Sequence, residues 1–125
     1  MFVADTHSLI WYLTEDDELS DSARQIFRQA DKGQVTVVIP TIVLAEAMFI
    51  SDKSGASFSK LTEKLEKGTN YEVYPLNMKV IHEMREIEND YSIHDKAIIA
   101  TSELLEATTI TKDKKIREGN TETIW

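Results

Sequence analysis

A chain of 125 residues with no composition break is long enough to bury a sizeable core without covalent staples, so one domain over residues 1–125 is expected. The absence of cysteine excludes disulfides, thiolate nucleophiles and cysteine-ligated zinc. The 22 acidic residues against 14 basic ones give a formal net charge of −8, which excludes a surface-wide affinity for nucleic acid, because nonspecific binding needs lysines and arginines to neutralise phosphates. Any nucleic-acid site must be local. No apolar run approaches the length of a membrane span, and Met1 to Leu13 carries Asp5 where a signal peptide would be basic and then apolar, so a cytoplasmic protein is expected.

Phe2-Val3-Ala4 is a short apolar run that stops at Asp5, and Leu9, Ile10 and Leu13 follow at helical spacing, so a buried strand hands over to a helix at that aspartate. Beyond an acidic loop at Glu15 to Glu18, Ser22 and Gln25 form a capping box for a helix with Ala23, Ile26, Phe27 and Ala30 on one face, ended by Gly33. Val35 to Ile39 is continuous and β-branched, as in a parallel strand covered on both faces. Pro40 stops it, and Thr41 caps an apolar helix, Ile42 to Ile50, interrupted by one charge, Glu46. Ser51 to Ser59 is small and polar and reads as a loop. Phe58, Leu61 and Leu65 mark an amphipathic helix with Lys60, Glu63, Lys64, Glu66 and Lys67 outside, and Tyr71, Val73 and Pro75 predict a third strand. Asn77 caps a helix that turns Val80, Ile81, Met84 and Ile87 inward and breaks at Asn89-Asp90. Ser92 caps the next helix, of about fourteen residues, with Asp95 in its first turn and Ile98, Thr101, Leu104 and Leu105 at helical spacing. Thr108 to Thr111 is a β-branched strand returning to Asp113, and Thr121 to Trp125 supplies a final edge strand.

Strands alternating with helices in this way predict an α/β fold, a three-layer sandwich around a mostly parallel central sheet of four to five strands. In such sheets ligands sit beyond the carboxyl ends of the strands. Asp5 and Asp113 follow strand ends, Asp95 opens a helix and Glu46 lies one to two turns into the helix after the second strand, so all four are expected at one edge. Glu46, in LAEAMF, is on or near a face that should be buried, where acids are rare unless paired or ligating. Four carboxylates without counter-charge repel, and some would take up protons near neutral pH. A divalent cation resolves the conflict. Oxygen-only donors, with no cysteine and no closely spaced histidines, favour Mg2+ or Mn2+ over zinc, and ions held that way support in-line hydrolysis of a phosphodiester. The competing account is that so many acids put some at strand ends by number alone, and that aspartate near a helix N-terminus is ordinary capping.

Together these residues resemble a PIN domain: Asp5-Thr6-His7 after a short strand, the Glu46 helix after Pro40-Thr41, His94-Asp95 opening a helix that continues through Ala97 to Ser102, and Thr111-Lys112-Asp113 after a strand, with Ile124-Trp125 at the end. The resemblance is to the VapC-like ribonuclease toxins of type II toxin–antitoxin modules, and it spans essentially the whole chain. It implies a Mg2+- or Mn2+-dependent endoribonuclease, a homodimer, whose activity is blocked by a cognate antitoxin that inserts a segment into the acidic site. Carried over, Asp5, Glu46, Asp95 and Asp113 bind the metal, and at least one also orients or deprotonates the attacking water. Thr6 and Thr111 match positions that supply a hydroxyl near the site; the alternative for each is a local cap or strand residue. The chain departs from many relatives in having few arginines and more acid than the site alone accounts for. Lys96 beside Asp95, and Lys112, Lys114, Lys115 and Arg117 around Asp113, either guide RNA phosphates to the metal or form a solvated charged turn.

His7 and His94 can reach the edge of the site and steady its ligands, or simply pack and cap, while His82 has no chemical neighbours in sequence. Trp11, Tyr12, Phe27, Met48, Phe49, Met78 and Met84 are expected in the core or at a dimer contact rather than stacked on bases. Two other functions compete. A catalytically inactive PIN-like module that binds RNA or dimerises would share the fold, although all four acids are present. A phosphotransfer domain with an acidic Mg2+ site fits less well: a haloacid-dehalogenase-like phosphatase needs a second aspartate where His7 stands, and a receiver needs an aspartate at the end of its middle strand, where Pro40 stands.

Overall fold

The computed structural model describes residues 1–54, 58–67 and 70–125. In chain order the elements are β1 (Phe2–Ala4), α1 (Thr6–Leu13), α2 (Asp21–Asp31), β2 (Val37–Pro40), α3 (Thr41–Ser54), α4 (Phe58–Glu66), β3 (Tyr71–Tyr74), α5 (Met78–Glu86), α6 (Ile93–Leu104), β4 (Thr108–Ile110), α7 (Lys114–Arg117) and β5 (Thr123–Ile124). The strands form one five-stranded sheet in the order β3-β2-β1-β4-β5, with all four pairings parallel. All four residues of β2 are buried; because successive side chains point to opposite faces, helices must cover the sheet on both sides. The expected three-layer α/β architecture is therefore present, and the C-terminal segment adds the edge strand β5. No described helix is long and apolar enough to cross a membrane.

Val3, Ala4, Val37, Val38, Ile39 and Ile110 fill the middle of the sheet, and Leu9, Phe27, Val43, Leu61 and Ile98 close over it. Two helix ends steer the chain back into strands. Past α2, Gly33 takes a positive φ of 75°, its N–H reaches the Ala30 carbonyl and that of Gln34 the Gln29 carbonyl, which satisfies two orphan acceptors and turns the chain toward β2. Past α6 the same pair of bonds, Glu106 N–H to the Glu103 carbonyl and Ala107 N–H to the Ser102 carbonyl, is made with Glu106 at φ 51°, a left-handed position without glycine. The return is tight enough for the Ser102 and Thr109 hydroxyls to meet at 2.6 Å in the interior, tying α6 to β4.

Several local expectations shift. The cap of α2 is Ser20, whose side chain accepts from Ala23 N–H, not Ser22; Ser20 has the extended backbone a cap requires, and Asp21 already lies in the first turn. Thr41 belongs to α3 itself, since β2 runs to Pro40 and hands over without a linker, and its hydroxyl accepts from Leu76 N–H at 3.1 Å instead of capping. The loop expected at Ser51 to Ser59 is helical at both ends. Ser51 turns its hydroxyl back onto the Met48 carbonyl and so continues α3; residues 55–57 lie outside the described residues. Asn77 and Ser92 cap α5 and α6 as expected, and α6 has 12 residues. Ile81, expected inside, is 41% exposed.

Phe27 is fully buried and stacks on Tyr12 with ring centroids 4.7 Å apart. Truncation to alanine leaves a cavity the sheet cannot close, so Phe27→Ala is expected to lose about 3–5 kcal/mol of stability, measured as a lowered urea midpoint at unchanged slope.

Candidate functional site

The chain leaves β1 for β2 and β3 on one side of the sheet, while β4 and β5 lie on the other, so the strand order reverses at β1. Register places Ala4 beside Ile110, and the carboxyl ends of β1 and β4 are level. A crevice opens at such a switch point. Here it is an open cavity of about 530 Å3, and Asp5, Glu46, Asp95 and Asp113 all line it.

Each acid is placed by a different piece of local structure. Asp5 caps α1: its Oδ1 accepts from Ser8 N–H at 2.9 Å, and its own N–H donates to the Ile110 carbonyl at 3.2 Å. The buried Ser8 hydroxyl donates to the Asp5 and Ile110 carbonyls, locking the first turn of α1 onto the end of β4. Asp95 stands in the first turn of α6, where its N–H donates to the Ser92 hydroxyl at 3.1 Å. Asp113 caps the short α7 by accepting from Ile116 N–H, while its own N–H donates to the Thr111 hydroxyl at 3.0 Å. Glu46 reaches the cavity from α3 and stands 3.5 Å from His94 Nε2. Its side chain keeps 30% exposure, so it sits half-buried on the cavity wall.

The electrostatics follow from this crowding. Burial pushes the Asp5 carboxyl above the usual carboxylate range, against the hydrogen bonds from Thr111 and Ser8 that pull it down. Asp95 is also raised, first by burial and then by the charges of Asp113 and Asp5, with the Ser92 hydroxyl opposing. Among the described residues none of Asp5, Asp95 and Asp113 has a lysine or arginine partner. The four acids nevertheless do not close into a finished cage: no group of three acidic or histidine side chains among the described residues is disposed to hold one ion. Uncompensated oxygen donors around open space suit a hard cation that keeps several of its waters, the habit of Mg2+, better than one that demands a full protein shell.

Of the other expected residues, Thr6, His7, His94 and Lys112 line the cavity, and Thr111 is fully buried against Asp5. Lys112 Nζ is held by Glu18 at 2.6 Å and lies over the Trp11 ring. Lys96, Lys114 and Lys115 are not among the lining residues: Lys114 faces Glu118 and Lys115 donates to the Asp90 carbonyl, so these two belong to the charged turn. His82 is exposed on α5. Trp11, expected in the core or at a dimer contact, packs partly buried against the core and also forms a wall of the cavity, beside His7 and edge-on to Trp125. The signal was available: Trp11 follows His7 by four residues, one helical turn on the same face. Ser92 and Ile98 complete the lining.

An open parallel sheet with an acidic crevice at its switch point defines an α/β domain whose candidate site lies beyond the carboxyl ends of its strands. The PIN domain family model matches residues 2–120, and the chain belongs to that family, for which nuclease activity is typical. Solved structures share the fold over nearly their whole length. A toxin–antitoxin complex from Klebsiella pneumoniae superposes with a TM-score of 0.77 at 17% identity, over 100% of this chain and 97% of that one. VapBC2 from Rickettsia felis, bound to a DNA fragment from its promoter, gives 0.73 at 19% identity over 99% and 98%. VapC20 of Mycobacterium tuberculosis, titled a sarcin–ricin loop cleaving toxin, gives 0.67 at 15% over 96% and 95%. No curated protein matches the sequence.

Because the folded-state Asp95 carboxyl titrates above its ordinary range, its charge opposes folding at neutral pH, and that cost disappears as the pH falls through the raised value toward 3.8. In chelator-treated protein Asp95→Asn is therefore expected to raise the melting temperature at pH 7, and the advantage over wild type should shrink on acidification.

Proposed function

We propose that the protein is a divalent-metal-dependent endoribonuclease, a single PIN domain over residues 1–125 that acts as the toxin of a toxin–antitoxin pair. The observation that carries this reading is that Asp5, Glu46, Asp95 and Asp113 line one cavity, with no lysine or arginine partner for the three aspartates among the described residues. These four would hold Mg2+ or Mn2+, which when bound activates water and offsets charge on the phosphodiester. The chain's own residues supply position. Asp5 is fixed by the Ser8 and Ile110 bonds, and Ser92 and Thr111 bond the backbone at Asp95 and Asp113, so each aspartate is anchored without its charge being cancelled. At least one of the four also orients and deprotonates the attacking water. His94 steadies Glu46, and Trp11 offers a flat apolar wall to a base beside the scissile phosphate. Lys112, at the rim, is the one predicted phosphate contact that the cavity lining supports.

The partner assignments draw on the structural neighbours. The Klebsiella structure is titled a toxin–antitoxin complex and the Mycobacterium protein a sarcin–ricin loop cleaving toxin, which supports a cognate antitoxin and an RNA substrate here. A homodimer is supported by the large apolar side chains left exposed on α3 and α5, Met48, Phe49, Met78 and Ile81. A cysteine-free chain fits the cytoplasm.

Cleavage of single-stranded RNA is expected to stop on chelation and return with Mg2+ or Mn2+. Asp5→Asn and Asp95→Asn should each lower the rate about 100-fold or more while keeping the far-UV spectrum of the wild type. Variants that cut as well as wild type would refute the site; a wild type that binds RNA without cutting it in either metal would mark the chain as an inactive PIN-like module.

A further inference from the structure

In a chain with a formal net charge of −8, four of its fourteen basic residues meet in one place. Arg24 and Arg28 from α2, and Lys60 and Lys64 from α4, line an open cleft of about 250 Å3 at the C-terminal end of α1, where Tyr12, Leu13 and Glu15 complete it. Glu15 is the only acid among the lining residues. Arg24 donates from Nη2 to the carbonyls of Asp16 at 3.2 Å and Leu19 at 3.3 Å, so neutral acceptors hold the guanidinium and leave its charge uncancelled. Arg28 lies one turn further along the same helix and is exposed. Neither arginine forms an ion pair among the described residues.

The wall behind them is rigid. Asp31 accepts from the hydroxyls of Tyr12 and Tyr71 and from Lys64 Nζ, and the Tyr71 hydroxyl also donates to the Phe27 carbonyl, which ties α1, α2, α4 and β3 together at this point. Lys64 lies over both tyrosine rings. Position relative to the acidic cavity completes the argument: Trp11 lines that cavity and Tyr12, the next residue of α1, lines this cleft. One short helix thus separates a cavity of four acids from a cleft of four bases. Consecutive helix residues project about 100° apart, so the two openings lie on different faces of α1, and a strand that occupies both would round that helix.

We propose that the cleft at Arg24, Arg28, Lys60 and Lys64 anchors the phosphodiester backbone of the RNA strand whose scissile phosphate occupies the acidic cavity. This rests on the ribonuclease reading. Arginine forks suit phosphate oxygens, and a protein otherwise repulsive to polyanions needs such a local anchor. An acidic protein segment is the rival occupant; the arginine pair favours a phosphodiester because its forks match phosphate oxygens, and polyglutamate stands for the rival in the test.

The test compares wild type with Arg24→Gln/Arg28→Gln and with Arg28→Gln alone, the latter removing an exposed side chain that forms no ion pair among the described residues. Cleavage of a long single-stranded RNA in Mg2+ should show KM raised about five- to tenfold in the double variant at unchanged kcat. In an Asp95→Asn background the dependence of log Kd for the same RNA on log salt should lose about 1.4 of its slope in the double variant and about 0.7 in the single one. Wild-type KM and wild-type slope in both variants would overturn the anchor while leaving the ribonuclease reading intact. So would loss of polyglutamate binding with RNA affinity unchanged, which assigns the cleft to an acidic protein. A wild type that neither binds nor cuts RNA would remove the ribonuclease reading and the anchor with it.

Discussion

Mutual repulsion of carboxylates at the carboxyl edge of β1 and β4 is the constraint on which the rest of the molecule turns. The backbone places Asp5 and Asp113 there by register, α6 adds Asp95 and α3 adds Glu46. Hydroxyl and amide partners from Ser8, Ser92 and Thr111 then hold the aspartates in place. None of those partners carries charge. The fold therefore fixes where the acids are without cancelling their charge: burial raises the Asp5 carboxyl, and burial first, then the charges of Asp113 and Asp5, raises that of Asp95. Structural salt bridges relieve such strain elsewhere in this chain, as Lys64 does for Asp31, whose carboxyl is held below its usual range. Among the described residues no lysine or arginine does the same for Asp5, Asp95 or Asp113.

Much of this was legible in the amino-acid order because it depends on short-range rules. Buried β-branched runs, helical spacing and the caps Asn77 and Ser92 placed the strands and helices, and the rule that ligands gather beyond parallel strand ends placed the four acids along one edge. Where two residues competed for one local role the reading failed: Ser20 rather than Ser22 caps α2, and Thr41 gave up its capping role for a bond to Leu76 N–H, a contact made 35 residues away. The apolar neighbours of Glu46 put it on or near a buried face; that it stands half-buried in the cavity wall opposite His94 depends on α6, which no periodicity in α3 reveals.

The least legible features are those assembled from separate helices. Trp11 looks like core from its helical face alone, and only the position of α1 beside the crevice makes it a wall. The basic cleft draws on α2 and α4, whose contributions are more than thirty residues apart, and α4 reads in isolation as an ordinary amphipathic helix with lysines outside. Net charge hides it entirely. If the cleft is the proposed anchor, a surface acidic on average disfavours polyanions elsewhere, which would turn the unfavourable overall charge into a source of selectivity.

The central claim is that the gathered carboxylates are a cation site, and diffraction at the manganese edge from crystals soaked in Mn2+ tests it most directly. The account predicts an anomalous peak inside the crevice, within about 2.0–2.5 Å of carboxylate oxygens from Asp5 and at least one of Asp95, Asp113 and Glu46. Well-ordered crystals whose four acids are clearly defined, with manganese bound elsewhere or nowhere and that crevice holding only water, would contradict it.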